Sequence, residues 1–118
     1  MSAPRQWDVW WAELRTGRKR EQTGDHHVLI LSDDLVINQT GMVIVAPITT
    51  SGSNRPWVVA IDPSDAGIRA RSWIECHQLQ ALALSRLIEF RRRLVETRRP
   101  YVALALRSVL RLAVGDLA

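Results

Sequence analysis

The sequence predicts a mainly β domain of the α+β class, a small antiparallel barrel followed by a C-terminal helix. Three observations carry this. Short apolar runs broken by turn residues fill the first two-thirds of the chain. One stretch near the end repeats at helical spacing. No glycine-rich phosphate loop and no alternation of strands with long helices argues for a parallel nucleotide-binding sheet. At 118 residues the chain is one domain, 1–118, with one core.

Trp7 to Leu14 is aromatic and β-branched enough for a strand apolar on both faces. Arg15 to Gly24 is polar, basic and glycine-bounded, hence an exposed loop. His27 to Leu31 and Met42 to Thr50 are further strands, Pro47 marking an edge position or a bulge. Ser51 to Pro56 is a turn, Trp57 to Ile61 a strand, and Asp62 to Ala70 a loop. Trp73 to Leu79 and Leu87 to Leu94 complete the strands. Thr97 to Val114 places Tyr101, Leu104, Ala105, Ser108, Val109 and Leu112 near a 3.6-residue period. Pro100 suits its first turn, Gly115 its C-cap, and Arg107 and Arg111 an exposed face.

Composition narrows the function. Sixteen Lys plus Arg face twelve Asp plus Glu, and Lys19 is the only lysine. Arginine forks suit phosphate or carboxylate, so nucleic acid and an acidic protein are both admissible partners, against the plain alternative of a solvated cationic surface. A lone cysteine, Cys76, allows no internal disulfide and fits a reducing cytoplasm. The N-terminus lacks a long apolar signal segment, and no run reaches membrane-spanning length.

Five segments in register resemble the MazF/PemK/Kid toxins: WDVWWAEL, REQTGDHHVLILSDD, VIVAPITT, RSWIECHQLQAL and ALRSVLRL. The resemblance implies an SH3-like barrel of the plasmid-maintenance-toxin type and a symmetric homodimer. It also implies metal-independent cleavage of single-stranded RNA without a cofactor, and an antitoxin whose acidic, disordered segment folds over the toxin. Thr49 matches the family's threonine, with Thr50 extending the hydroxyl cluster; the plainer reading is a β-branched residue bonding a turn. Where relatives carry an Arg-Pro pair this chain has His26 and His27. Where Kid-like relatives carry Arg-Cys-Asp it has Glu75-Cys76-His77. Gln78 falls in a segment that in the family packs beside the active site, and Gln80 stands where many relatives have an arginine.

Alternation sends His26 and His27 to opposite faces; His26, holding the arginine's place, is assigned to the site. Period-two spacing puts Glu75 and His77 on one face, where a carboxylate can fix an imidazole's tautomer. The expected mechanism is attack by the RNA 2′-hydroxyl, giving a cyclic phosphate. His26 and His77 exchange protons, Glu75 steadies His77, and Thr49 holds the phosphate. Arg15, Arg18, Lys19 and Arg20 bind the flanking backbone. Trp10, Trp57 and Trp73 suit core packing better than base stacking. The three histidines lack zinc-site spacing, so no metal is expected, and nothing but His77 beside it suggests an activated Cys76. Arg91, Arg92, Arg93, Arg98 and Arg99 crowd the helix start, where the dipole disfavours cations; a groove for an acidic antitoxin or RNA would compensate, a solvated face being the plainer reading. Competing readings are a degenerate member that only binds antitoxin or nucleic acid, and a gyrase-directed toxin of the same fold.

Overall fold

The computed structural model describes residues 3–14 and 24–112. Seven strands form one antiparallel sheet: β1 (Asp8–Leu14), β2 (Gly24–Ile30), β3 (Met42–Thr49), β4 (Val58–Ile61), β5 (Ser72–Glu75), β6 (Gln80–Ala83) and β7 (Leu87–Arg93). Their order is β4-β5-β3-β2-β1-β7, with β6 also paired to β3. Helices α1 (Asp34–Thr40), α2 (Pro63–Ala66) and α3 (Arg99–Leu110) interrupt or follow the strands. The mainly β class with a C-terminal helix is as expected, but the sheet is not closed, since β4 and β7 remain its end strands.

Strand β3 organises the sheet. Met42–Val45 pair with β6, whereas Ile48 and Thr49 pair with β5. Pro47 falls in the gap between these partners, so its missing N–H costs no ladder bond on that side. It therefore marks neither a sheet edge nor a bulge: its pairing with Val28 of β2 runs in unbroken register.

Side-chain alternation divides the core in two. Val9, Leu29, Ala46, Ile48, Ile61, Ile74 and Leu94 face α3 and bury Val102 and Ala105. Trp10, Ala12, Val28, Ile30, Val43, Val45 and Leu82 face the other way and enclose Ile37 of α1. The adjacent residues of β2 thus serve opposite cores, and this separates His26 from His27.

Helix α3 is shorter than the periodicity predicts, ending at Leu110 with Arg111 in a left-handed conformation at φ 49°. Its buried stripe is also rotated. Val102 and Ala105 are buried, with Leu106 and Val109 packed against the core, whereas Tyr101 and Leu104 are exposed. Both sides of this helix are apolar, so period alone could not select the inward one. The expected cap Gly115 lies outside the described residues.

Helix α1 was not expected, although its signals are present. Asp33 accepts from Leu35 N at 2.9 Å, and Gly41 closes the helix at φ 68°. Likewise α2 replaces part of an expected loop, with Pro63 in its first turn and a reciprocal capping box between Asp62 and Asp65. Strand β5 ends at Glu75, four residues short of expectation, because Cys76 and His77 form the turn leading toward β6.

Candidate active site

The register of three strands sets out one open row. The β2–β3 ladder ends at His27 opposite Ile48, and strand alternation sends the next residues, His26 of β2 and Thr49 of β3, to the same face beyond it. Ala12 of β1 pairs with His26, and Trp73 of β5 pairs with Thr49. Directly opposed residues share a face, with strands about 4.8 Å apart. His26 and Trp73 therefore flank Thr49, and Glu75, two residues beyond Trp73, points to the same side. The Thr49 hydroxyl is tied to its turn: Ser51 N donates to Oγ1 at 3.2 Å, and the two hydroxyls lie 3.1 Å apart. This is the turn-bonding role that the residue type alone suggests, and the hydroxyl remains at the exposed end of the strand.

His77 does not share that face by strand alternation, because the strand has already ended. It is exposed on the turn, its ring edge-on to Trp57 with centroids 6.3 Å apart. The Glu75 carboxylate accepts from Gln78 Nε2 at 3.1 Å, and Gln78 N donates to the Glu75 carbonyl at 3.1 Å. Gln78 thus holds the turn and the carboxylate together. Arg15, Arg18, Lys19 and Arg20 lie outside the described residues. Among the tryptophans, Trp10 is buried, whereas Trp57 is partly exposed.

The other face of the same sheet end carries a cleft of about 350 Å³. Trp11 and His27 line it together with Thr50, Ser72, Arg91 and the Gly67–Ala70 segment. The Trp11 and His27 rings meet edge to face at 4.8 Å. Arg91 Nε donates to His27 Nε2 at 3.1 Å, and Arg91 Nη1 bonds Glu89 at 2.8 Å. Burial, then the Arg91 charge, then His26 hold the His27 pKa below its ordinary value. His27 is the neutral acceptor of this pair, leaving Nδ1 as its protonated nitrogen. So Thr50 and His27 line this cleft, while Thr49 and His26 face the opposite side. Sequence reasoning placed His27 away from the site and had no signal for the approach of Trp11 and Arg91, which depends on the β1–β7 register.

Cys76 is fully buried, and burial pushes its thiol up to about 12, removing it as a thiolate nucleophile. No cluster of three or more His, Cys, Asp or Glu suited to a metal occurs among the described residues. No described helix is long and apolar enough to cross a membrane.

The arginines near α3 find internal partners. Arg98 bonds Asp65 at 2.9 Å and Asp62 at 3.3 Å, fastening the helix start to α2. Arg99 donates twice to the Leu94 carbonyl and lies 5.5 Å from the centroid of the Trp7 ring. Arg92 reaches the Ser64 carbonyl at 2.7 Å, and Arg93 the Gln6 carbonyl at 3.1 Å. Carboxylates and carbonyls thus supply the compensation that the helix dipole requires, and these side chains serve the fold first.

Comparison with known proteins agrees with this architecture. Residues 5–110 match the family model described as PemK-like, MazF-like toxin of type II toxin–antitoxin system. No curated protein sequence matches. An endoribonuclease from a mycobacterial species, solved in complex with its cognate antitoxin, superposes with a TM-score of 0.78 at 22% identity, covering 94% of this chain and 98% of the other. The Mycobacterium tuberculosis toxin MazF-mt6 gives 0.76 at 24% identity over 90% and 98% of the two chains. MazF from Deinococcus radiodurans gives 0.78 at 21% identity over 95% and 100%. With the family model spanning nearly the whole described chain and the fold matching throughout, this protein belongs to the PemK-like, MazF-like toxins of type II toxin–antitoxin systems.

Proposed function

We propose that the toxin is an endoribonuclease that cuts single-stranded RNA without a metal ion. The observation that carries this reading is that His26 and Thr49, just past the last paired residues of β2 and β3, fall on one face of the sheet in a chain of this family. The RNA 2′-hydroxyl attacks the adjacent phosphorus, the bond to the 5′-oxygen breaks, and a 2′,3′-cyclic phosphate and a 5′-hydroxyl result. The step needs a group to take the 2′-proton, a group to return one to the leaving oxygen, and donors to the phosphorane oxygens.

His26 is one proton-transfer group, since an imidazole has a nitrogen that can take or give a proton, which the family's always-charged arginine cannot. Thr49 donates to a non-bridging oxygen. Glu75 shares their face and is the second proton carrier in preference to His77. His77, on the turn after β5, and Trp57, on the turn before β4, lie edge to face and contact flanking RNA, and Gln78 orients Glu75. Arg15, Arg18, Lys19 and Arg20 supply backbone contacts from the segment joining β1 and β2.

Two partners complete the reading. A cognate antitoxin is the first, as the mycobacterial relative was solved with its own, and an acidic, disordered segment of it suits this basic toxin. A second copy of the chain forms a homodimer, for which the exposed Ile88 and Phe90 of end strand β7 offer an apolar surface. The protein acts in the cytoplasm, where its RNA substrate lies.

The test is incubation of purified toxin with a defined RNA oligomer in EDTA, followed by identification of the ends. Cyclic-phosphate and 5′-hydroxyl ends are expected from wild type and not from His26→Ala. Intact RNA, with antitoxin or RNA still bound, would instead establish a binding module without catalysis.

A further inference from the structure

The cleft on the opposite face from His26 and Thr49 is a built pocket with no part in the reaction proposed above. We infer that it is a nucleotide-binding subsite, taking one base and its phosphate from RNA that rounds the end of the sheet. Its position follows from chain geometry. His27 and Thr50 line the cleft, while their neighbours His26 and Thr49 face the opposite side. The chain's biological use of this subsite rests on the ribonuclease reading; the presence of the subsite does not.

The lining fits this chemistry. At about 350 Å³ the cleft lies in the lower range of small-ligand sites, roughly 300–1,000 Å³, which suits a single nucleotide. Trp11 is only half-buried and offers ring surface for a base, a contact that any base can make. Its orientation is held from the side by the edge-on His27 ring at 4.8 Å. His27 is in turn oriented by Arg91, which occupies Nε2 and leaves Nδ1–H as donor.

The cation that can meet a phosphate is Arg69. It is exposed on the cleft rim and forms no ion pair among the described residues, unlike Arg91, whose charge is shared with Glu89. Thr50 adds a hydroxyl, whereas the Ser72 hydroxyl is already bonded to the Ala70 carbonyl at 2.9 Å and shapes the rim segment. Two aromatic rings, an available guanidinium and fixed polar donors are what a nucleotide requires. A plain anion site has no use for the indole, and an acidic peptide has no use for a flat aromatic floor.

The experiment is titration of the full toxin with each 5′-nucleoside monophosphate, followed by NMR of the Trp11 indole and the His27 ring. Saturable shifts of both are expected. Trp11→Ala and Arg69→Ala should each weaken binding about tenfold or more, and Trp11→Phe should retain it. The aromatic variant guards against loss of fold. If wild type proves unable to cut RNA yet binds nucleotide, this inference stands and the ribonuclease reading falls. Unmoved Trp11 and His27 signals would overturn the inference. So would inorganic phosphate binding as tightly as nucleotide, or a glutamate-rich peptide binding more tightly at the same signals.

Discussion

Arg91 Nε donates to His27 Nε2 at 3.1 Å, joining end strand β7 to β2 across the intervening β1. The bond requires a neutral imidazole, and both burial and the nearby guanidinium favour that form. The folded protein therefore binds fewer protons at His27 than the unfolded chain, whose imidazole titrates near 6.5. The stabilising contribution is complete above the unfolded pKa and is lost as pH falls through the lowered folded value. Wild type should lose more thermal stability than His27→Gln on acidification from neutral pH. Arg91→Gln should raise the His27 pKa, read from imidazole NMR. Identical pH–stability curves for wild type and His27→Gln would contradict this account.

The row on the other face makes a kinetic prediction. Removing the proton carrier by His26→Ala should lower kcat on an RNA oligomer by about 10²–10⁴-fold. Thr49→Ala should lower it by about 10²–10³-fold, the usual consequence of losing one donor to a developing oxyanion. Thr49→Ser should recover most of that loss. Equal activity of Thr49→Ala and wild type would leave the threonine only its bond to Ser51.

Asp65 carries several structural contacts. Its carboxylate accepts from Asp62 N at 2.8 Å in the capping box and from Arg98 Nε at 2.9 Å. Loss of both bonds in Asp65→Ala should destabilise the fold by about 1–3 kcal/mol, measured by urea denaturation. Much less should be lost in Arg71→Ala, because its pair with Asp62 is exposed on both sides.

Cys76 should resist chemistry in the folded state. Its buried thiol, pushed up to about 12, presents almost no thiolate at neutral pH. Ellman's reagent should label it only in denaturant, and iodoacetamide should leave RNA cleavage unchanged. Rapid native labelling with loss of activity would reinstate the cysteine as a nucleophile.

How much of this was legible in the sequence depends on the range of the forces involved. Six of the seven strands follow from apolar runs and turn residues, which act locally. Strand β6 was missed because Gln80-Ala81-Leu82-Ala83 has little β propensity and is held by its pairing with Val43 and its neighbours. The inward side of α3 was misjudged for a related reason, since only packing distinguishes Val102 from Tyr101. At the site, resemblance supplied His26 and Thr49, and strand alternation sends both to one face. The joining of Glu75 to His77 assumed a strand that stops too early. The cleft around His27 was invisible because its parts come from four separate strands and a rim segment, and no spacing along the chain encodes that meeting.

The break in partners along β3 has a consequence for how the molecule opens. The half paired with β6 carries Val43 and Val45 into one core, and the half paired with β5 carries Ile48 into the other. With proline at the junction, no backbone bond on that side couples the two ladders. Strand β5, with β4 behind it, should therefore open on β3 separately from β6. Amide exchange should thus divide into two protection blocks meeting at Pro47. Such a division makes the fold a two-leaf structure with a spine, in which the leaf bearing Trp73 and Glu75 can breathe independently of its companion.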